Sequence, residues 1–146
     1  MSFFDSIFGE KKMDYSTLLL SRLLQSSPMK VLIIEDEGLI AMDLALMLRS
    51  LGAKQVETVA SAEEGLNRLR HYKPDLIFLD IKLKGLMDGI KLAEIIQTEH
   101  SLPVIYITAY NDESTLSRAR EVPHLGIIKK PFIPADIKQV LKGLSL

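Results

Sequence analysis

The stretch DLIFLDIKLKG, residues 75–85, decides how this chain is read. Leu76, Ile77, Phe78 and Leu79 form an apolar run of strand length, with Pro74 before it and a glycine-bearing turn after it. Such a run suits a strand buried on both faces. It ends in Asp80, and a carboxylate there needs a reason, because burying an unpaired charge is costly.

The same rhythm continues on either side. KVLII (30–34) precedes a helical pattern in which Ile40, Leu44, Met47, Leu48 and Leu51 recur, with Gly52 as its stop. VETV (56–59) is a weaker, mixed strand, after which Ser61 caps a helix to about residue 72 with Glu64 at the capping-box position. Beyond the run at 76–79 come a helix over about 89–98, VIYI (104–107), a helix over about 112–120, LGII (125–128) and a last helix over about 134–142. Parallel neighbours need crossover connections, so five strands alternating with five helices predict an α/β fold with a doubly wound parallel sheet. The continuously apolar strands from Val31, Leu76 and Val104 belong in the middle and VETV at an edge. A strand order of 2-1-3-4-5, of the flavodoxin-like (βα)5 type, is consistent with this and is the order expected.

Residues 29–146 therefore read as one domain, and 146 residues suffice for one core but not for two. Residues 1–28 stand apart as an extension. Phe4, Phe8, Tyr15, Leu19 and Leu23 follow a roughly helical spacing, and five of the seven positions 18–24 are leucine. The plainer expectation is a helix packed back on the domain or a frayed leader, and the sharper one a helix that serves docking or dimerisation. Charged residues make up 25% of the chain and nearly balance at a net −1, which gives no support to a nucleic-acid or membrane-charge role. With no cysteine there is neither a disulfide framework nor thiolate chemistry, and a cytoplasmic location is expected. Arg22 interrupts the leucine run, which falls short of the roughly 20 residues of a membrane helix.

In an open parallel sheet, ligands bind beyond the carboxyl ends of the strands, where strand order reverses. This sequence places Glu35 and Asp36 after the first strand, Asp80 after the third, Thr108 after the fourth, and Lys130 then Pro131 after the fifth. Two carboxylates about 5 Å apart repel by roughly 3 kcal/mol at an effective dielectric near 20, so three converging ones call for raised pKa values or a cation. Hard oxygen ligands point to Mg²⁺ over zinc. His71, His100 and His124 have no metal-ligand spacing. A carboxylate beside Mg²⁺ is able to attack phosphorus, and Thr108 and Lys130 then supply donors for the phosphoryl oxygens. Alone, each residue has a plainer reading: Asp80 as a turn former, Glu35 and Asp36 as favourable charges at a helix N-terminus, Thr108 as a cap, Lys130 as a solvated charge.

Together, VLIIEDE, PDLIFLDIKL, MDG, PVIYITAY and KKPF, in this order and spacing, resemble the receiver domain of two-component response regulators from about Met29 onward. The resemblance implies that Asp80 accepts a phosphoryl group from a histidine kinase or phosphotransfer protein. It further implies that Glu35, Asp36, Asp80 and the backbone carbonyl of Lys82 hold Mg²⁺. Thr108 would bond the phosphoryl group and Lys130 pair with it, next to a cis bond to Pro131. The face formed by the fourth helix, fifth strand and fifth helix would then switch partners, a second copy of this chain among them. Such a module is a signalling phosphoacceptor that only gains and loses its own phosphoryl group.

The chain departs from that pattern in three places. The segment from Asp80 to Asp88 and Gly89 is one residue longer, with Lys84 and Gly85 where proline is usual, and Ile127 stands where an aromatic residue is usual. Tyr106 or Tyr110 is the candidate substitute for that ring, the plainer reading being that they pack or lie at the surface. Lys82 and Tyr110, two positions after Asp80 and Thr108, flank the path of water to the phosphoryl group and are expected to slow its loss. Two other functions compete. A phosphatase with an aspartyl nucleophile typically has a second Asp two residues on, where this chain has Lys82; a scaffold that never gains phosphate usually lacks one of the acids, the threonine or the lysine, and all are present.

Overall fold

The computed structural model describes residues 29–109 and 112–143. The expected N-terminal helix and Tyr110 lie outside the described residues. The order is β1 (Lys30–Ile34), α1 (Gly38–Ser50), β2 (Gln55–Val59), α2 (Ala62–Leu69), β3 (Leu76–Asp80), α3 (Gly89–Ile95), β4 (Val104–Thr108), α4 (Glu113–Glu121), β5 (Gly126–Lys129) and α5 (Pro134–Gly143). All strand pairs are parallel, in the order β2-β1-β3-β4-β5. This is the predicted topology.

Strand composition sets position in the sheet. All five residues of β3 and of β4 are buried, whereas β2 is exposed or half-buried throughout, as befits its edge place. One face of the sheet packs Val31, Ile33, Phe78 and Ile105 against Leu44 and Leu48 of α1 and Ile137 of α5. The other packs Leu32, Ile34, Ile77 and Leu79 against Leu69 of α2, Ile90 and Leu92 of α3 and Leu116 of α4. Each fully buried side chain of this size is worth about 1.5–3 kcal/mol, so a one-residue slip of β3 would be met by both layers.

The ends of the helices follow local chemistry. Helix α1 closes with Gly52 at φ 111°, its N–H donating to Arg49 O and that of Ala53 to Leu48 O, the paired bonds of a Schellman motif. At α2, Ser61 Oγ accepts from Glu64 N, while the Glu64 carboxylate accepts from Ala60 N, one residue earlier than a capping box would have it. Helix α2 stops at Leu69 rather than near Tyr72, which turns off the axis and donates its hydroxyl to Val31 O and Gln55 O. Pro74 disfavours helical geometry at the residue before it, so the chain has already left the helix. The helix expected over 89–98 is α-helical only to Ile95 and continues as a π-turn over Ile96–His100. Thr98 Oγ1 bonds back to Glu94 O and Ile95 O there, and Ser101, at φ 53°, closes the turn onto Ile96 O.

Tyr106 follows the plainer reading. It is fully buried on β4, opposite Ile127 of β5, with its ring centroid 5.3 Å from that of His124 and its hydroxyl unpartnered among the described residues.

One contact ties α3 to the end of β3. A Cβ on Gly89 would lie 2.0 Å from Asp80 O, and the Gly89 N–H donates to Ile81 O at 2.9 Å. Only glycine lets the helix start this close to the strand end. Gly89→Ala is therefore expected to cost about 1–3 kcal/mol by overpacking, read by urea unfolding, with the largest NMR shift changes at residues 80–82.

Candidate functional site

Parallel register brings the strand ends to one level. Ile34 pairs with Leu79, Asp80 with Ile107 and Thr108 with Lys129, so Glu35, Asp80, Thr108 and Lys130 emerge side by side. Backbone bonds continue past the strands, from Glu35 N to Val59 O, Ile81 N to Ile107 O and Lys130 N to Thr108 O, which fixes each residue at its exit.

The predicted acids meet. One oxygen from each of Glu35, Asp36 and Asp80 lies within 4.8 Å of the others. Lys130 Nζ stands among them, 2.6 Å from Glu35 Oε1, 3.2 Å from Asp80 Oδ2 and 3.5 Å from Glu37 Oε1. The side chain of Lys130 is only 9% exposed, that of Asp80 5% and that of Glu35 not at all, so these are buried ion pairs whose desolvation must be offset by attraction. Backbone donors complete the arrangement: Lys82 N–H to Asp80 Oδ1 at 3.0 Å, Glu37 N–H to Glu35 Oε2 at 3.0 Å and Lys84 N–H to Asp36 Oδ2 at 3.0 Å.

Burial pushes the Glu35 carboxyl well above the ordinary glutamate range, with Asp80 adding to the rise and Lys130 and the Glu37 N–H opposing it. Burial also works against the Lys130 ammonium, but the bonds and charges of Glu35 and Asp80 outweigh it and hold the amine above its usual value. One ammonium serves an excess of carboxylates.

That excess fits a hard divalent cation. Glu35, Asp36 and Asp80 each offer a carboxylate oxygen within 4.8 Å of the other two, and the Lys130 ammonium among them is shared between Glu35 and Asp80. No histidine belongs to this cluster, and His124 instead makes a 2.7 Å contact from Nδ1 to Val122 O.

The five predicted site residues and Lys82 lie together at one end of the sheet. Glu35, Asp36, Asp80 and Lys130 converge, Thr108 is wholly buried at the adjacent strand end, and Lys82 lines the cleft with Asp36, Asp80, Lys84 and Lys130. The Lys130–Pro131 bond is cis, as the resemblance implied. Three participants were missed. Glu37 was legible as the last letter of EDE, but its double contact, a backbone donor to Glu35 and a carboxylate near Lys130, depends on the turn. The close approach of Gly89 and the Lys84 N–H to Asp36 bond, across 48 residues, leave no local signal.

A family model for the response regulator receiver domain matches residues 31–142. The transcriptional regulatory protein PdtaR of Mycobacterium tuberculosis is 36% identical over 110 residues, covering 75% of this chain and 53% of that protein. The phyllosphere-induced regulator PhyR of Methylorubrum extorquens is 36% identical over 113 residues, covering 77% of this chain and 42% of that protein. The chain thus spans about half the length of these relatives. Among solved structures, the signal receiver domain of a modulated diguanylate cyclase from Desulfovibrio desulfuricans superposes with a TM-score of 0.74 at 30% identity, covering 81% of this chain and 94% of that one. No helix among the described residues is long and apolar enough to cross a membrane.

The charge balance at Lys130 is open to test. Without the ammonium, the buried carboxylates hold protons more tightly folded than unfolded, and a raised folded pKa contributes stability that is lost as pH rises. Lys130→Met is expected to cost about 3 kcal/mol or more near pH 8 and much less near pH 5, read by urea unfolding in chelator at both values.

Proposed function

Because this chain belongs to the response regulator receiver domain family, we propose that it carries a signal as a phosphoryl group on Asp80. The observation that supports this most is the setting of Asp80, with Oδ1 held by the Lys82 N–H and Oδ2 facing Lys130 within the acidic cluster. A carboxylate fixed at both oxygens is already oriented for in-line attack, so little orientational freedom is left to lose at the transition state.

An Asp80 oxygen attacks the phosphorus of a phosphohistidine on a histidine kinase or phosphotransfer protein. The new O–P bond forms as the P–N bond breaks, and the imidazole leaves with the electron pair and takes up a proton. Glu35, Asp36 and Asp80, with the backbone carbonyl of Lys82, are the residues that would hold Mg²⁺. Such an ion supplies charge neutralisation for the phosphoryl oxygens. Lys130 then moves its pairing from the Asp80 carboxylate to the phosphoryl group, and the Thr108 hydroxyl donates to another phosphoryl oxygen.

That exchange of partners provides the switch. Lys130 lies between β5 and α5, and Thr108 leads through Ala109 toward α4, so a pull on both biases the α4/β5/α5 face between conformations with different partner affinity. A second copy of this chain is one candidate for that face.

The test is to incubate the chain with Mg²⁺ and a small acyl phosphate and to record intact mass and size. One added phosphoryl group is expected on wild type, none on Asp80→Asn, and none on wild type in chelator. A wild type that never gains mass would favour a scaffold function. Lys82, exposed beside Asp80, is further expected to guard the phosphoryl group from water. Lys82→Ala should shorten the phosphorylated half-life several-fold, measured by the decay of the phosphorylated mass after removal of donor.

A further inference from the structure

Helix α1 wears apolar residues on the side turned away from the sheet. Leu39, Met42 and Leu46 are 82%, 60% and 58% exposed, while Ala41, Leu44, Ala45 and Leu48 fill the core behind them. Their spacing of three then four residues sets them in one row along the helix, the spacing with which one helix receives another. Solitary exposed leucines are ordinary, but a row of three on one helix marks a surface that something covers.

We propose that residues 15–24 of this same chain cover it. The attachment point favours this occupant. Met29 lies at the lower end of α1, in the same apolar cluster as Leu48 and Ala53, and its carbonyl accepts from Lys54 N and Gln55 N just beyond that helix. From there the row begins about one turn from the helix end, since Leu46 precedes Ser50 by four positions. Residues 25–28, extended, reach about 13 Å, and ten residues at helical rise cover about 15 Å, against about 10 Å for the row itself. Leu19, Leu20, Leu23 and Leu24 repeat at helical spacing and supply the complementary apolar face. Three acidic and three basic residues balance over 1–28, so no net charge opposes contact. A tether this short gives an effective concentration in about the millimolar range, which favours the chain's own segment over a second copy.

The docked segment runs beside α1 toward Glu37, whose carboxylate borders Lys130 and the Asp80 cleft. The contact itself does not depend on phosphorylation and stands or falls separately from the phosphoacceptor reading.

The test uses the full chain, which has no cysteine to remove. Asp43→Cys, on the exposed side of α1 and outside the row, carries a nitroxide label, and the isotope-labelled protein is diluted with unlabelled wild type so that only effects within one chain remain. Strong broadening of the amide signals of residues 15–24 is expected. It should vanish in Leu39→Ser/Leu46→Ser, with the signals of the domain retained to show that the variant folds. Absence of broadening in the parent would overturn the proposal. So would broadening that survives the double substitution, or broadening seen only when label and isotope sit on different copies, which would mean that a second chain covers the row.

Discussion

The ammonium of Lys130, held between Glu35 and Asp80, is the interaction on which the site depends. It joins the exits of β1, β3 and β5, which are separated by 45 and 50 positions in sequence. Without it the buried carboxylates of Glu35 and Asp80 would face each other with no neutralising charge between them, which is costly at such low exposure. With it, the carboxylates stay close at the cost of a strained proton balance, visible in the raised pKa of Glu35.

The sheet makes the meeting possible by spending none of its polarity elsewhere. Apart from Lys30, which bonds through its backbone to Asp75, and the terminal Asp80 and Thr108, the central strands carry apolar residues and the Tyr106 ring alone. Both helical layers then press on residues that fix register, and register sets which side chains leave the sheet together. The stability of the core and the geometry of the acidic cluster are one problem. Gly89 shows the same coupling from the helix side, since α3 could not start where it does if the strand end met a side chain.

The departures from the receiver pattern concentrate where the phosphoryl signal would have to travel. Ile127 pairs in register with Tyr106, so the ring usual at the β5 position has a buried counterpart one strand inward. That ring is fully buried and packs against His124, with its hydroxyl unpartnered among the described residues. The longer segment after β3 turns through Gly85 at φ 112° and brings the Lys84 N–H to Asp36, so the departing stretch itself contacts the acidic cluster.

Strand order, the central place of β3 and the identities of Glu35, Asp36, Asp80, Thr108 and Lys130 were legible in the sequence, because apolar runs of period and length suited to buried strands announce their own ends. Residues at the carboxyl ends of parallel strands share one edge of the sheet whatever the details of packing, so the cluster followed from topology. Tertiary structure decided what depends on distances between segments remote in sequence: Glu37 as a third carboxylate near Lys130, the Lys84 N–H on Asp36, the bare Cα of Gly89 against Asp80. It also decided where helices stop, as in the early exit of Tyr72 to bond β1 and β2 and the π-turn after Ile95, because helical periodicity is a weak local preference that cross-chain hydrogen bonds and proline constraints override.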